Sequence, residues 1–131
     1  PLEATLGQLA ACNIAIGLIS NTGRTWGRYL TDLQEAIGIG RYFRFQAYSD
    51  ELRVRKPDPR IFRAALAGLG LRPDEVVHIG DDATADIAGA AAVGMRAVWF
   101  KTGYWSDGHA DRADAEIRDL AEFPAVVEAL A

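Results

Sequence analysis

Hydrophobic positions change period several times along the chain, and each change marks an element. Leu2, Leu6 and Leu9 recur at the spacing of one helix face, and the continuous apolar run from Ile14 to Ile19 that follows is too short for an exposed helix. A helix and then a buried strand are predicted. Ser20-Asn21-Thr22-Gly23 is a loop signal, after which Trp26, Tyr29, Leu30, Leu33 and Ile37 mark one face of a second helix ending near Gly38 and Gly40. Phe43 to Tyr48 is a second short apolar stretch. Asp58-Pro59 has the chemistry of an N-cap followed by proline at the first helical position, and Ile61, Phe62, Ala65, Leu66 and Leu69 give that helix its stripe before Gly70 stops it. Val76 to Ile79 predicts a third strand. Thr84 is placed to cap a helix running to about Val93, with Gly94 as its stop, and Ala97 to Phe100 predicts a fourth strand. A polar loop from Lys101 to Ala113 precedes a short strand at Ala115 to Ile117 and a last helix from about Leu120 to Leu130.

Helix and strand therefore alternate throughout, and the strands lack the in-out alternation of a sheet with one wet face. That combination predicts an α/β fold with a parallel sheet covered by helices on both sides, a three-layer Rossmann-like arrangement. The length of 131 residues suits one domain over residues 1–131.

Composition narrows the classes without changing this picture. Fourteen Lys and Arg against eighteen Asp and Glu give a net charge of -4, with both signs mixed along the chain, so no footprint for nucleic acid is expected. Cys12 is the single cysteine, which excludes an internal disulfide and a thiolate zinc site and suits a reducing cytoplasm. No run approaches the roughly 20 apolar residues of a membrane span. The numbering opens at Pro1 without an initiator Met, which suggests a fragment.

Three strand ends carry polar chemistry, and in an open parallel sheet ligands bind at those ends. Ser20-Asn21-Thr22-Gly23 could hold anionic oxygens, or be a plain turn. Lys56 lies just before a helix start, where its ammonium would neutralise a phosphate, unless it is simply solvated. Gly80-Asp81-Asp82, with Asp86 in the next helix, crowds carboxylates whose repulsion is unfavourable unless a cation or strong donors offset it. Mg²⁺ suits hard oxygen ligands of this kind. In the alternative, Asp82 points to water and Asp86 caps backbone groups. Together the three segments amount to the equipment for phosphoryl transfer.

"LISNTG", "RKPDPRIF" and "VVHIGDDATADIAGAAAVGM" resemble motifs two, three and four of the haloacid dehalogenase-like hydrolase superfamily, most closely the subgroup with a helical cap between motifs one and two. The resemblance implies that Ser20 hydrogen-bonds the transferring phosphoryl group with Asn21 beside it, and that Lys56 neutralises charge there. It further implies that Asp81 coordinates Mg²⁺ and that Asp86 helps to hold the metal or its water, while Asp82 receives no role. Trp26 and Tyr29 are expected in the core or facing the cap. The small Ala and Gly side chains let the helix after the acidic loop approach the sheet, so that a larger residue at Ala88 or Ala91 should overpack. Trp105 and His109 are expected to be loop-packing and surface residues.

The family's first motif, Asp-x-Asp on an early strand, has no counterpart here, because the sequence contains no Asp-x-Asp. An incomplete core domain lacking the motif-one strand and the cap is therefore expected. Its exposed sheet edges would invite self-association or pairing with the missing N-terminal segment. Arg53 also departs from the family, where Gly often stands in the turn before Lys56. The implied function is hydrolysis of a small phosphorylated metabolite through an aspartyl-phosphate, with the nucleophile absent from this chain and the chain alone inactive. The alternative is a non-catalytic remnant serving as a binding or assembly module. A signalling receiver would place its acidic pair first and its Lys last, and dehalogenase chemistry would need no metal. The order of the motifs is wrong for a receiver, and dehalogenase chemistry stays open although the acidic loop favours Mg²⁺.

Overall fold

The structure, a computed structural model, describes residues 2–103 and 110–131. Trp105 and His109 lie outside the described residues. Helix α1 (Leu2–Ala11) leads into β1 (Ile16–Ser20), and α2 (Gly27–Ala36) is followed by β2 (Phe43–Tyr48). A single-turn α3 (Ser49–Leu52) and the longer α4 (Pro59–Leu69) precede β3 (Val77–Gly80). A wide turn at Ala83–Ala88 runs into α5 (Gly89–Ala92), and β4 (Arg96–Phe100), β5 (Ala115–Ile117) and α6 (Phe123–Leu130) complete the chain.

All strand pairs are parallel, but among the described residues they form two ladders, β1–β2 and β3–β4–β5, with no ladder between β1 and β3. Both faces are covered, which is why the strands lack alternation. On one face Ala97 and Trp99 of β4 and Ala47 of β2 pack with Ile61, Phe62 and Leu66 of α4 and with Ile87 and Ala90. On the other, Val98 and Ile117 meet Leu9 of α1 and Phe123 of α6. The α/β architecture with parallel sheets between helices is thus as the periodicity predicts.

Several local expectations need correction. The cap before Ala83 is Asp82, whose Oδ1 accepts from the backbone N–H groups of Thr84 and Ala85 at 2.8 Å each, because Asp82 already stands in extended backbone while Thr84 is inside the turn. The turn it opens is π-helical, with the Ile87 N–H donating to Asp82 O at 3.2 Å, so no uniform helix runs to Val93. The tight small-residue positions are Gly89 and Ala90. A Cβ at Gly89 would come within 2.7 Å of the Phe62 ring and Ala90 is fully buried, whereas Ala88 and Ala91 are partly exposed. Of the two expectations for Trp26 and Tyr29, the core is ruled out by their exposures of 57% and 49%, and the cap-facing one stands as an expectation. The inner side of α2 instead carries buried Gly27 and Gln34 against Tyr48.

Arg53 terminates α3 in the left-handed conformation, at φ 58° and ψ 26°. A side chain with a Cβ is strained there, which accounts for glycine being favoured at such a turn. Arg53→Gly should therefore raise the stability of the protein by about 0.5–1 kcal/mol. A urea unfolding midpoint that falls in this variant would contradict the strain.

Candidate active site

The strand ends at Ser20 and Gly80 are brought together by one side chain. Lys56 Nζ donates to the backbone carbonyl of Ile19 at 3.2 Å and to Asp86 Oδ1 at 2.6 Å, so it bridges the end of β1 and the loop after β3. Both partners of the ion pair are shielded, with side-chain exposures of 12% for Lys56 and 6% for Asp86. Asn21 fixes the Lys56 backbone from the other side. Its Nδ2 donates to Lys56 O at 3.0 Å, and its Oδ1 accepts from Lys56 N at 2.7 Å, so the amide mimics a strand partner. Both ends of the Asn21 side chain are thereby engaged by the peptide groups of Lys56.

The loop after β1 is anchored by a second set of bonds. Buried Thr22 donates from its backbone to Ser49 Oγ at 2.8 Å and from its hydroxyl to Asp50 Oδ1 at 2.8 Å, and the same Asp50 oxygen accepts from Gly27 N at 3.1 Å. Ser20 itself closes β1 opposite Tyr48.

Asp86 reaches back onto the end of β3 because the π-helical turn directs it there. Gly80 is required by that approach, since a Cβ on it would lie 2.1 Å from Asp86 Cγ. Besides Lys56, Asp86 Oδ1 contacts His78 Nε2 at 3.1 Å, and Asp86 Oδ2 accepts from Asp82 N at 3.1 Å. His78 is held edge-on to the Phe62 ring, with centroids 5.4 Å apart. Burial pushes the Asp86 carboxyl up, but the hydrogen bond to His78 and the charge of Lys56 outweigh it and hold the group at about 2. His78 is a site residue that the acidic-loop pattern does not single out. Strand alternation could have found it, because residues 78 and 80 share a face.

Of the expected residues, then, Asn21, Lys56 and Asp86 belong to one hydrogen-bonded assembly, flanked by Ser20 and by Asp81. The backbone carbonyl of Asp81 is fixed by Trp99 Nε1 at 3.1 Å. Among the described residues no three His, Cys, Asp or Glu side chains gather as a metal cage. The donor set fits Mg²⁺ in part. Asp86 has both oxygens occupied by donors, which suits it to orienting Lys56 more than to binding a cation directly. Asp81 directly follows the tip of β3. No helix among the described residues is long and apolar enough to cross a membrane.

The haloacid dehalogenase-like hydrolase family model matches residues 1–94. The chain belongs to this family. It is 32% identical over 124 residues to phosphoserine phosphatase of Thermus thermophilus, covering 92% of this chain and 47% of that protein. It is 35% identical over 128 residues to glyceraldehyde 3-phosphate phosphatase of Pyrococcus furiosus, covering 96% and 51%. Among solved structures, a HAD phosphatase from Thermococcus onnurineus aligns with a TM-score of 0.82 at 31% identity, over 95% of this chain and 55% of that one. A 2-haloacid dehalogenase from Pseudomonas syringae aligns equally well, with a TM-score of 0.82 at 32% identity, over 98% and 52%. The chain spans about half the length of the relatives it matches.

The pH dependence of stability follows from Asp86. Its folded-state value of about 2 lies below the ordinary 3.8, so the stabilisation is fully present above about pH 4 and is lost as pH falls through 2. Asp86→Asn should cost about 3–5 kcal/mol near neutrality, because the Lys56 ammonium is left buried without its partner. The variant should also lose the extra steepness of the acid limb. Parallel urea-stability curves for variant and parent between about pH 4 and pH 2 would contradict the assignment.

Proposed function

We propose that this chain supplies the second half of the active site of a phosphate-ester hydrolase that works through an aspartyl-phosphate, with the nucleophilic Asp on a segment outside the chain. The observation that carries the reading is the Lys56 ammonium held between the ends of β1 and β3, which no ladder joins among the described residues. An anion bound there would meet a cation already oriented by Asp86 and Asn21, which removes reorganisation from the reaction step. Ser20, at the adjacent strand end, would donate its hydroxyl to the transferring phosphoryl group, and Lys56 would neutralise the charge on it. Mg²⁺ would be held by Asp81 with waters, substrate oxygens and groups from outside the chain, and would supply further neutralisation of equatorial charge. Asp86 acts here as a positioning residue for Lys56, with any role toward a metal-bound water secondary.

The substrate is a small phosphorylated metabolite, consistent with the names of the curated relatives. Pairing of β1 and β3 with the segment bearing the nucleophile would also satisfy their open edges. The 131 residues alone should not turn over a phosphate monoester in the presence of Mg²⁺, whereas the protein carrying an upstream Asp-x-Asp strand should. In that longer protein Lys56→Ala and Asp81→Ala should each lower kcat by about 10²-fold or more. Turnover by the isolated chain that vanishes in Asp81→Ala would refute the missing-nucleophile reading.

A further inference from the structure

His78 is a polar ring at a position where packing alone would favour an aliphatic side chain. Alternation along β3 sends Val77 and Ile79 to the cluster around Leu9 and Phe123, and sends His78 to the face covered by α4. Its register partner on β4 is the fully buried Ala97, and the Phe62 ring meets it edge-on at an interplanar angle of 82°. Only 12% of the His78 side chain is exposed. An imidazole withdrawn from water in this way is costly unless it recovers a hydrogen bond, and the partner it finds is Asp86 Oδ1, 3.1 Å from Nε2.

That bond bears on Lys56. Three donors share the two Asp86 oxygens. Lys56 Nζ at 2.6 Å and His78 Nε2 meet Oδ1, and the Asp82 amide meets Oδ2 at 3.1 Å. His78 and Asp82 thus pin the carboxylate at both of its oxygens. An ammonium has three N–H donors, and among the described residues two of those on Lys56 are used, by Asp86 Oδ1 and by the Ile19 carbonyl. These two bonds fix the direction of the third. Without the His78 donor, Oδ1 would be held by Lys56 alone, the carboxylate could turn with the ammonium, and that direction would be lost.

We propose that His78 is a positioning residue for phosphoryl transfer, a role that rests on the phosphatase reading of Lys56. Its Nε2–H fixes the Asp86 carboxylate, and the carboxylate in turn aims the remaining Lys56 N–H at the transferring group.

Two measurements on the protein at its full natural length test this. The first is long-range proton–nitrogen NMR correlation of the His78 ring near neutral pH, where Nε2 should carry hydrogen, because only then can it donate to the carboxylate. It needs no variant, so it decides even where a substitution at His78 fails to fold. The second is hydrolysis of p-nitrophenyl phosphate with Mg²⁺. His78→Leu should lower kcat about tenfold with KM within about threefold of the parent. His78→Gln, whose amide N–H reaches about as far as Nε2, should restore kcat to within about threefold. In an Asp86→Asn background His78→Leu should change kcat by less than about twofold, since its effect passes through Asp86. Hydrogen on Nδ1 alone would overturn the proposal, as would a folded His78→Leu that keeps the parent kcat. A Gln variant as slow as the Leu one would overturn it by assigning the effect to packing on Phe62. An equal loss with and without Asp86→Asn would overturn it because His78 would then not act through Asp86. A parent without any turnover would instead remove the phosphatase reading itself, and the role of His78 with it.

Discussion

The site is organised around one shielded ion pair, Lys56 with Asp86, set between two sheet ladders that no strand pairing joins among the described residues. An ammonium and a carboxylate withdrawn from water are costly unless their remaining hydrogen-bonding capacity is met. Here it is. The Ile19 carbonyl accepts from Lys56, while His78 and the Asp82 amide complete the shell of Asp86. Other features follow from keeping that pair together. Gly80 has no Cβ because Asp86 lies against it, the turn after β3 widens to aim Asp86 backward, and Asn21 clamps the Lys56 peptide from β1. The same contacts that hold the two ladders in register also point a cation at the place where an anion would bind.

Much of this was legible in the order of residues. The alternation of apolar strands with amphipathic helices gave the architecture, and the cap chemistry of Asp58 and the stop at Gly70 appear where their residue types predict. Asp58 accepts from Arg60 N, and Gly70 adopts φ 68°. Of the three polar segments, Asn21, Lys56 and Asp86 meet through hydrogen bonds. What sequence periodicity could not supply was direction. It does not say that Asp82 and not Thr84 caps the turn, because both residue types favour that position and the choice depends on where the backbone leaves the extended conformation. Nor does it say that Asp86 turns inward to Lys56, which depends on a π-helical turn that no spacing announces. His78 escaped notice for a related reason, since a lone histidine in an apolar strand acquires its meaning from a partner eight residues away.

Helix α2 shows the limit of stripe reading from the other side. Trp26, Tyr29, Leu30, Leu33 and Ile37 form the face that periodicity finds, and a stripe of that kind ordinarily faces the core. Within this chain only Leu30 of that set is partly buried, while Gln34 is buried with no partner for its Oε1 among the described residues. Periodicity identifies a helix and its faces, whereas which face is covered depends on the neighbours available. Arg53 is the comparable case in a turn, where strained backbone is visible only once φ is known.

The central claim is that Lys56 and Asp86 act as one unit. A double-mutant cycle on equilibrium unfolding, with Lys56→Met, Asp86→Asn and the combination, measures that coupling without requiring substrate or metal. The account predicts an interaction of about 1–3 kcal/mol, with the double variant much less destabilised than the two single changes sum to. Additivity within about 0.5 kcal/mol would contradict it.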